Sequence, residues 1–153
     1  MKLQKATRFG LYAVLELARA PERHLSANEI AEKYDISTNH LAKVLRVLGR
    51  ANLIESVRGA GGGYHFTGNA RRITLLDVIR LFEDVGGGAR RREPGGDTQV
   101  GRGLRIVLAE IDDIAHATLR SITLRTLLDL VQRQRAAAQT APARPPAGAR
   151  AHE

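Results

Sequence analysis

The segment from Ser26 to Phe66 restricts the possible folds of this 153-residue chain more than any other part of it. Ser26 and Glu29 have the spacing of a capping box, which predicts the start of a short helix. After a tight turn, Ser37 has the position of a second N-cap, and the helix that follows is predicted to end near Ala51. Two short helices joined by such a turn are typical of a helix-turn-helix.

A β-hairpin is predicted directly after these two helices. Its strands, Leu53–Val57 and Tyr64–Thr67, are joined by the loop Arg58–Gly63, in which four of the six residues are glycine. Glycine adopts backbone conformations that strain other residues, so this loop can turn sharply and approach another surface closely. We therefore expect a wing beside the helix-turn-helix.

The rest of the chain is divided by apolar periodicity and by residues that interrupt helices. These patterns predict helices at 7–20, 75–84, from about 104 onward and at 124–131, a flexible loop at 85–103 that contains Arg90–Arg92, and a disordered tail at 132–153. The fold class is thus mainly α with a small β-hairpin wing. We divide the ordered part into a winged helix-turn-helix domain (1–84) and, after the loop, a long dimerisation helix with a short C-terminal helix (104–131).

The predicted long helix carries a heptad-like apolar stripe. Its residues step by four and three along the chain: Leu104, Leu108, Ile111, Ala115 and Thr118, with Val107 and Ile114 beside them. A stripe of this kind pairs helices. We expect it to pair with the same helix of a second copy, and packing against the body of its own chain is the alternative.

The charge of the chain is unevenly distributed. The formal net charge is +8, and residues 1–72 carry 12 Lys and Arg against 6 Asp and Glu, whereas residues 73–131 carry 8 against 9. Positive charge concentrated on the helix-turn-helix half favours a polyanionic partner for that half. Charge that serves only solubility is the alternative.

Several absences exclude whole classes of function. The chain has no cysteine, which excludes disulfides, thiolate catalysis and thiolate metal sites. Its five histidines show no metal-ligand spacing and no nucleophile–base pair stands out, so we predict no metal, no cofactor and no enzymatic activity. Neither a signal peptide nor an apolar run long enough to span a bilayer is present, so we expect a soluble cytoplasmic protein without a membrane partner.

The helix that begins after Ser37 is amphipathic, and its polar side is basic. Asn39, Lys43, Arg46 and Arg50 share that side, at positions i, i+4, i+7 and i+11. In a DNA major groove, residues early in such a helix reach base edges, and later residues contact phosphates. The candidates for reading bases are Thr38, Asn39, His40 and Lys43, and those for binding phosphates are Arg46 and Arg50.

The wing supplies a second candidate contact with double-stranded DNA. The Arg58 guanidinium can enter a narrow minor groove, where the negative potential is enhanced, and Gly61 lets the loop backbone approach the duplex. The alternative is a winged-helix module that binds proteins, in which the basic helix face is only solvated.

Several motifs of this chain resemble the Rrf-type winged-helix transcriptional regulators of bacteria, the IscR/NsrR-like family. They are Met1–Leu3, Ile30–Glu32, Val57–Tyr64, Ile73–Ile79 and Ile122–Leu124. The resemblance covers residues 1 to about 131 and implies a homodimeric regulator whose long helices cross. It also implies that the base-contacting segment is Ser37–Lys43 and that Arg58 is the wing arginine.

The sequence departs from that family where its iron–sulfur members bind their cluster. The resemblance implies three cysteines in the loop before the long helix, but residues 86–103 contain neither cysteine nor histidine. For the nitric-oxide-sensing branch the resemblance also implies an acidic ligand on the first helix, and Arg8 occupies the matching position here. We therefore expect a cluster-free repressor whose signal is an unknown small molecule, a protein effector or nothing, with an effector site flanked by Phe82 and Leu104. A redox or metal sensor with non-cysteine ligands remains an alternative.

Overall fold

The computed structural model describes residues 2–85 and 94–140 of the chain. Along the sequence these residues form α1 (Lys5–Arg19), α2 (Ala27–Tyr34), α3 (Thr38–Arg50), β1 (Ile54–Val57), β2 (Gly63–Phe66), α4 (Leu75–Ile79), α5 (Gln99–Ser121) and α6 (Leu124–Thr140). The fold class predicted from the sequence, mainly α with a two-stranded wing, is confirmed. Among residues 2–85 and 94–140, every helix is too short or too polar to span a bilayer.

The helix-turn-helix consists of α2 and α3, and both helices begin where capping residues predict. The Ser26 Oγ accepts a hydrogen bond from the Glu29 backbone N–H at 3.2 Å, and the Glu29 carboxylate accepts one from the Ser26 backbone N–H at 2.7 Å. The turn between the helices contains Asp35 in the left-handed conformation, with φ 51°. Ser37 then caps α3.

The apolar core lies between α1, α3 and the wing. α1 lies at its centre, because four of its residues are completely buried, and the inner face of α3 packs against it. The largest fully buried side chains here are Val14, Leu17, Ile30, Leu41, Leu45, Leu48 and Ile54. This core fixes which side of α3 faces solvent.

The wing is an antiparallel hairpin to which a third segment is bonded. Its register runs from Ile54 opposite Phe66 to Val57 opposite Gly63, within one residue of the predicted strands. Leu25, in the connection between α1 and α2, exchanges two backbone hydrogen bonds with Tyr64, at 2.8 and 2.9 Å. The hairpin is thus attached to the helical body along one edge.

The two Ile-Thr-Leu motifs lie side by side. Thr74 and Thr123 are bridge partners, since the Leu75 N–H donates to the Ile122 carbonyl and the Leu124 N–H donates to the Ile73 carbonyl, both at 2.9 Å. This bridge joins the starts of α4 and α6.

Two helices extend beyond their predicted bounds. α5 begins at Gln99 rather than near Leu104, because Thr98 acts as an N-cap, so part of the predicted loop is helical. α6 continues to Thr140 rather than ending at Val131. Alanine and arginine are strong helix formers, which explains why the start of the predicted disordered tail is helical. Arg90–Arg92 and residues 141–153 lie outside the described residues.

α4 is shorter than predicted and ends at Ile79 instead of Asp84. Phe82 follows it in a turn, and its N–H donates to the Ile79 carbonyl at 3.0 Å. Its ring packs against Gly10 of α1, where a Cβ atom would collide with the ring. The chain has therefore left the helix where Phe82 packs, and the side chain that we expected to flank an effector site contacts α1.

Candidate nucleic-acid interface

The candidate interface begins with the outer face of α3. All the residues that the sequence selected are exposed: Ser37, Thr38, Asn39, His40, Lys43, Arg46 and Arg50 on and before this helix, and Arg58 and Gly61 in the wing. The opposite face of α3 is buried in the core. With three cations and no acidic residue in its sequence, α3 presents a positive surface to solvent.

The cations of this surface differ from those of the helical body in their partners. Within the described residues, Lys43, Arg46 and Arg58 make no ion pair or side-chain hydrogen bond. By contrast, Arg19 and Lys33 both contact the Glu16 carboxylate, at 2.5 and 2.7 Å. The cations on α3 and in the wing are therefore available to an external anion.

Two of the predicted base-reading residues contact each other. The Ser37 Oγ accepts a hydrogen bond from the His40 backbone N–H at 3.4 Å and lies 3.0 Å from Nδ1 of the His40 ring. Ser37 therefore caps α3 and also orients the His40 ring, which remains exposed. Sequence reasoning identified the cap but not the contact between the two side chains.

The wing turn depends on glycine at two positions. The Gly62 N–H donates to the Gly59 carbonyl at 3.0 Å, and Gly61 has φ +74°, a value that side-chain-bearing residues rarely adopt. A Cβ on Gly63 would lie 2.7 Å from the Leu25 carbonyl oxygen, so this residue must be small where the wing meets the body. Arg58 projects from the β1 end of this turn.

An open groove of about 280 Å³ separates α3 from the hairpin. Residues from both elements line it: Ala42, Leu45, Arg46 and Gly49 from α3, and Ile54, Ser56 and Tyr64 from the wing. Its hydrogen-bonding side chains belong to Arg46, Ser56 and Tyr64, and none of the three has an intramolecular side-chain partner in the described part of the chain. A ligand can therefore approach the backbone closely at the small residues Ala42 and Gly49, and the three polar side chains can donate hydrogen bonds to it.

Sequence reasoning missed a pair of histidines at the wing. His24 and His65 are far apart in the sequence, but their ring centroids lie 5.1 Å apart. Nδ1 of His24 is 3.2 Å from the Gly61 carbonyl oxygen, and Nε2 of His65 is 4.0 Å from the Glu55 carboxylate. Periodicity cannot reveal contacts between residues so far apart in sequence. Among residues 2–85 and 94–140, no group of three or more His, Asp or Glu side chains could hold a metal ion.

A buried carboxylate fixes α2 against α1. Glu16 is only 8% exposed, and its carboxylate accepts hydrogen bonds from the Lys33 ammonium and the Tyr34 hydroxyl, both at 2.7 Å. The Tyr34 ring stacks on Tyr12, with centroids 4.9 Å apart. These contacts set the orientation of the first helix of the helix-turn-helix, which in turn positions α3.

One long face of α5 is apolar and exposed. The side chains are between 49% and 82% accessible: Val100, Leu104, Val107, Leu108, Ile111 and Ile114. Near the end of the helix, Leu119 is buried with Leu76 and Ile79 of α4. α5 is therefore anchored at its C-terminal end, and α6 leaves the apolar face uncovered in this single chain.

Comparison with known proteins connects this architecture to one group. The Rrf2 family model, described as an iron-dependent transcriptional regulator, matches residues 3–130. The HTH-type transcriptional regulator BadM of Rhodopseudomonas palustris is 55% identical over 142 residues, which cover 93% of this chain and 90% of BadM.

The fold is shared with solved structures of other regulators, CymR and IscR among them. CymR, the global cysteine regulator of B. subtilis, has a TM-score of 0.72 and 30% identity, and the match covers 85% of this chain and 98% of CymR. IscR of T. potens has a TM-score of 0.61 and 30% identity, covering 92% and 93% of the two chains.

Proposed function

This chain belongs to the Rrf2 family of transcriptional regulators, and we propose that it is a homodimeric repressor that binds a specific DNA operator without an iron–sulfur cluster. As a DNA-binding regulator it is not an enzyme. We infer that it acts in the cytoplasm, where bacterial DNA is found. Its activity responds to a small molecule, to a protein effector or to neither.

The observation that carries this proposal is the exposed cationic face of α3, whose Lys43 and Arg46 have no partner in the described part of the chain, beside a wing whose turn begins at Arg58. An α-helix of this kind fits the DNA major groove. Asn39 can form a bidentate pair with adenine, and Lys43 can donate to guanine, so these residues supply sequence preference. Arg50 lies later on the helix and would bind a phosphate.

The groove between α3 and the wing supports the same arrangement. A recognition helix in the major groove and a wing in the adjacent minor groove must straddle the sugar–phosphate strand that separates the two grooves. That strand would run along the groove, where Arg46, Ser56 and Tyr64 have unused donors. Contacts with phosphates fix the register of the protein on the duplex but do not read the base sequence of the DNA.

The exposed face of α5 supports a homodimer. Apolar patches of this extent on a single chain mark an interaction surface. Two copies joined along α5 would present two α3 helices to successive major grooves of a palindromic operator. A repressor acts by occupying such an operator.

The iron dependence in the family description does not fit this chain. Iron–sulfur clusters are held by cysteine thiolates, partly replaced by histidine in some cases. The chain contains no cysteine, and its described residues offer no alternative group of ligands. We therefore assign no step of its function to a cluster.

The proposed function is tested by fluorescence anisotropy with the chain's own promoter region over a salt series. A protein whose cations bind DNA phosphates loses affinity for DNA steeply between about 50 and 200 mM salt. We expect Lys43→Ala to weaken binding by about 1–3 kcal/mol and to relax the base preference. Arg46→Ala should weaken binding to all sequences and reduce the salt slope by about 1 for each operator half.

Arg133→Ala is the matched control, since it removes one exposed charge from α6, outside the candidate interface. It should change the affinity much less than either interface variant. If Lys43→Ala and Arg46→Ala bind as tightly as the control, the proposed interface is wrong. A wild-type protein without salt-dependent affinity for any duplex would favour the protein-interaction alternative. Iron that the purified protein retains after anaerobic reconstitution would favour the alternative of a redox or metal sensor with non-cysteine ligands.

A further inference from the structure

His24 links the helical body to the tip of the wing. It lies in the connection between α1 and α2, and its Nδ1 is 3.2 Å from the carbonyl oxygen of Gly61, 37 residues further along the chain. The next residue, Leu25, is bonded to Tyr64 through two backbone hydrogen bonds. One short segment therefore holds β2 through backbone groups at Tyr64, close to the turn, and holds the turn itself through a side chain.

The hydrogen bond between His24 and Gly61 can run in only one direction. A carbonyl oxygen can only accept, so Nδ1 of His24 must carry the proton and donate it. The His65 ring lies beside the His24 ring, with centroids 5.1 Å apart and planes inclined by 55°. Because the His24 ring is exposed, it contributes little to the core, and its contacts with the wing are the hydrogen bond to Gly61 and the ring of His65.

We propose that His24 is a positioning residue that holds the wing turn in the conformation in which Arg58 meets DNA. A loop in which four of six residues are glycine loses much conformational freedom when it becomes ordered on a ligand. A hydrogen bond from the helical body orders that loop in advance, which reduces the entropic cost of binding. This inference rests on the proposed function, because it assigns the wing a role in DNA binding.

A set of three substitutions at position 24 separates this role from a general structural one. The amide nitrogen of asparagine can take the place of Nδ1, whereas that of glutamine lies one bond further out. We expect His24→Asn to bind operator DNA within about twofold of wild type, and His24→Gln and His24→Leu to bind about two- to tenfold more weakly, the range for one hydrogen bond. The midpoint of thermal unfolding should stay the same in all three.

A second measurement uses the free protein. NMR order parameters of the Gly59–Gly63 amides report loop motion on the ps–ns timescale. We expect lower values in His24→Leu than in wild type, and wild-type values in His24→Asn. Restored loop order in His24→Asn supports the hydrogen bond as its cause.

The proposal is overturned if His24→Leu keeps both wild-type affinity and wild-type loop order, or if His24→Asn is as impaired as His24→Leu. Failure of the proposed function looks different, because then the wild-type protein itself binds no duplex at low salt. In that case the order parameters still decide whether His24 orders the turn, although its role in DNA binding would fall with the function.

Discussion

At the scale of single residues, Glu16 shows how one buried carboxylate positions a DNA-binding element. Burial raises the pKa of its carboxyl, but the hydrogen bonds from Lys33 and Tyr34 and the charge of Arg19 outweigh burial, so the pKa is lower than the usual 4.5. Burial and the neighbouring Glu16 carboxylate raise the pKa of Tyr34 to about 12. Glu16 is therefore ionised and Tyr34 protonated at neutral pH, the states that both hydrogen bonds require.

The lowered pKa of Glu16 makes the free energy of unfolding depend on pH. Since the pKa is lower in the folded chain than in the unfolded one, ionised Glu16 stabilises the fold above its unfolded pKa, and this stabilisation is lost as the pH falls through its folded pKa. We expect Glu16→Gln to reduce the free energy of unfolding at neutral pH by about 1 kcal/mol. The partner Lys33 is 41% exposed, which keeps the effect at that modest size.

Urea denaturation followed by circular dichroism at about pH 7 and about pH 3.5 measures both effects, the lower pH lying below the unfolded pKa. The difference between wild type and Glu16→Gln should shrink at the lower pH. Glu22→Gln is the control, because Glu22 is exposed and has no side-chain partner within the described residues. A Glu16→Gln protein that matches the control at both pH values would contradict a stabilising role for the carboxylate.

At the scale of elements, α3 uses its N-terminus for two purposes. Ser37 satisfies a backbone N–H at the start of the helix, and the same residue lies at the end of α3 that we expect to enter the major groove. A residue with both roles links folding to binding, but suitable substitutions can separate the two. Asparagine and aspartate cap helices as well as serine does, whereas alanine does not.

We expect Ser37→Ala to reduce the free energy of unfolding by about 1 kcal/mol through loss of the cap. Ser37→Asp should retain wild-type stability but bind DNA at least about tenfold more weakly, because a carboxylate near phosphates is repelled. Ser37→Asn has the same shape without the charge, and it should retain both stability and affinity. Thermal unfolding and anisotropy measure the two quantities, and equal affinities of the aspartate and asparagine variants would place Ser37 away from the DNA.

The elements that sequence reasoning found are those with local signals. The capping box at Ser26 and the cap at Ser37 fixed the starts of α2 and α3, and the glycines of the loop indicated the hairpin. The start of α5 was missed because glycines lie both before and after Thr98, so the segment was interpreted as a loop and the cap was not recognised. The length of α6 was missed because an alanine- and arginine-rich composition was interpreted as disorder, although both residues favour helices.

The candidate site also has a part that the sequence predicts and a part that it does not. Periodicity was sufficient to predict which side of α3 is exposed, because the buried face of that helix has a regular spacing. The groove beside Tyr64 and the contact between His24 and Gly61 depend on how distant segments pack, and sequence spacing contains no signal for either. Contact of any of these residues with DNA remains a prediction.

At the scale of the whole molecule, we expect the exposed face of α5 to determine how many DNA-binding surfaces act together. The helix has 23 residues and is therefore about 34 Å long, at 1.5 Å per residue. Burying a large apolar side chain completely stabilises an interface by about 1.5–3 kcal/mol. We expect six such side chains on each of two copies to stabilise a dimer, even when each is only partly buried.

A charge in the middle of this face should separate the two copies. We expect Ile111→Glu to convert a dimer into a monomer, because Ile111 is 55% exposed and lies on the apolar stripe, where pairing would bury the carboxylate. Ile106→Glu is the matched control, since Ile106 is 70% exposed on the other side of the same helix. Analytical ultracentrifugation gives the mass of each variant, and anisotropy gives the affinity for the full operator and for one half of it.

Linked binding surfaces gain about 10²–10⁴ in overall affinity, so Ile111→Glu should lose at least about 100-fold in affinity for the full operator and little in affinity for the half-site. Dimeric Ile111→Glu, or a monomer that binds the full operator as tightly as the control, would refute pairing through α5.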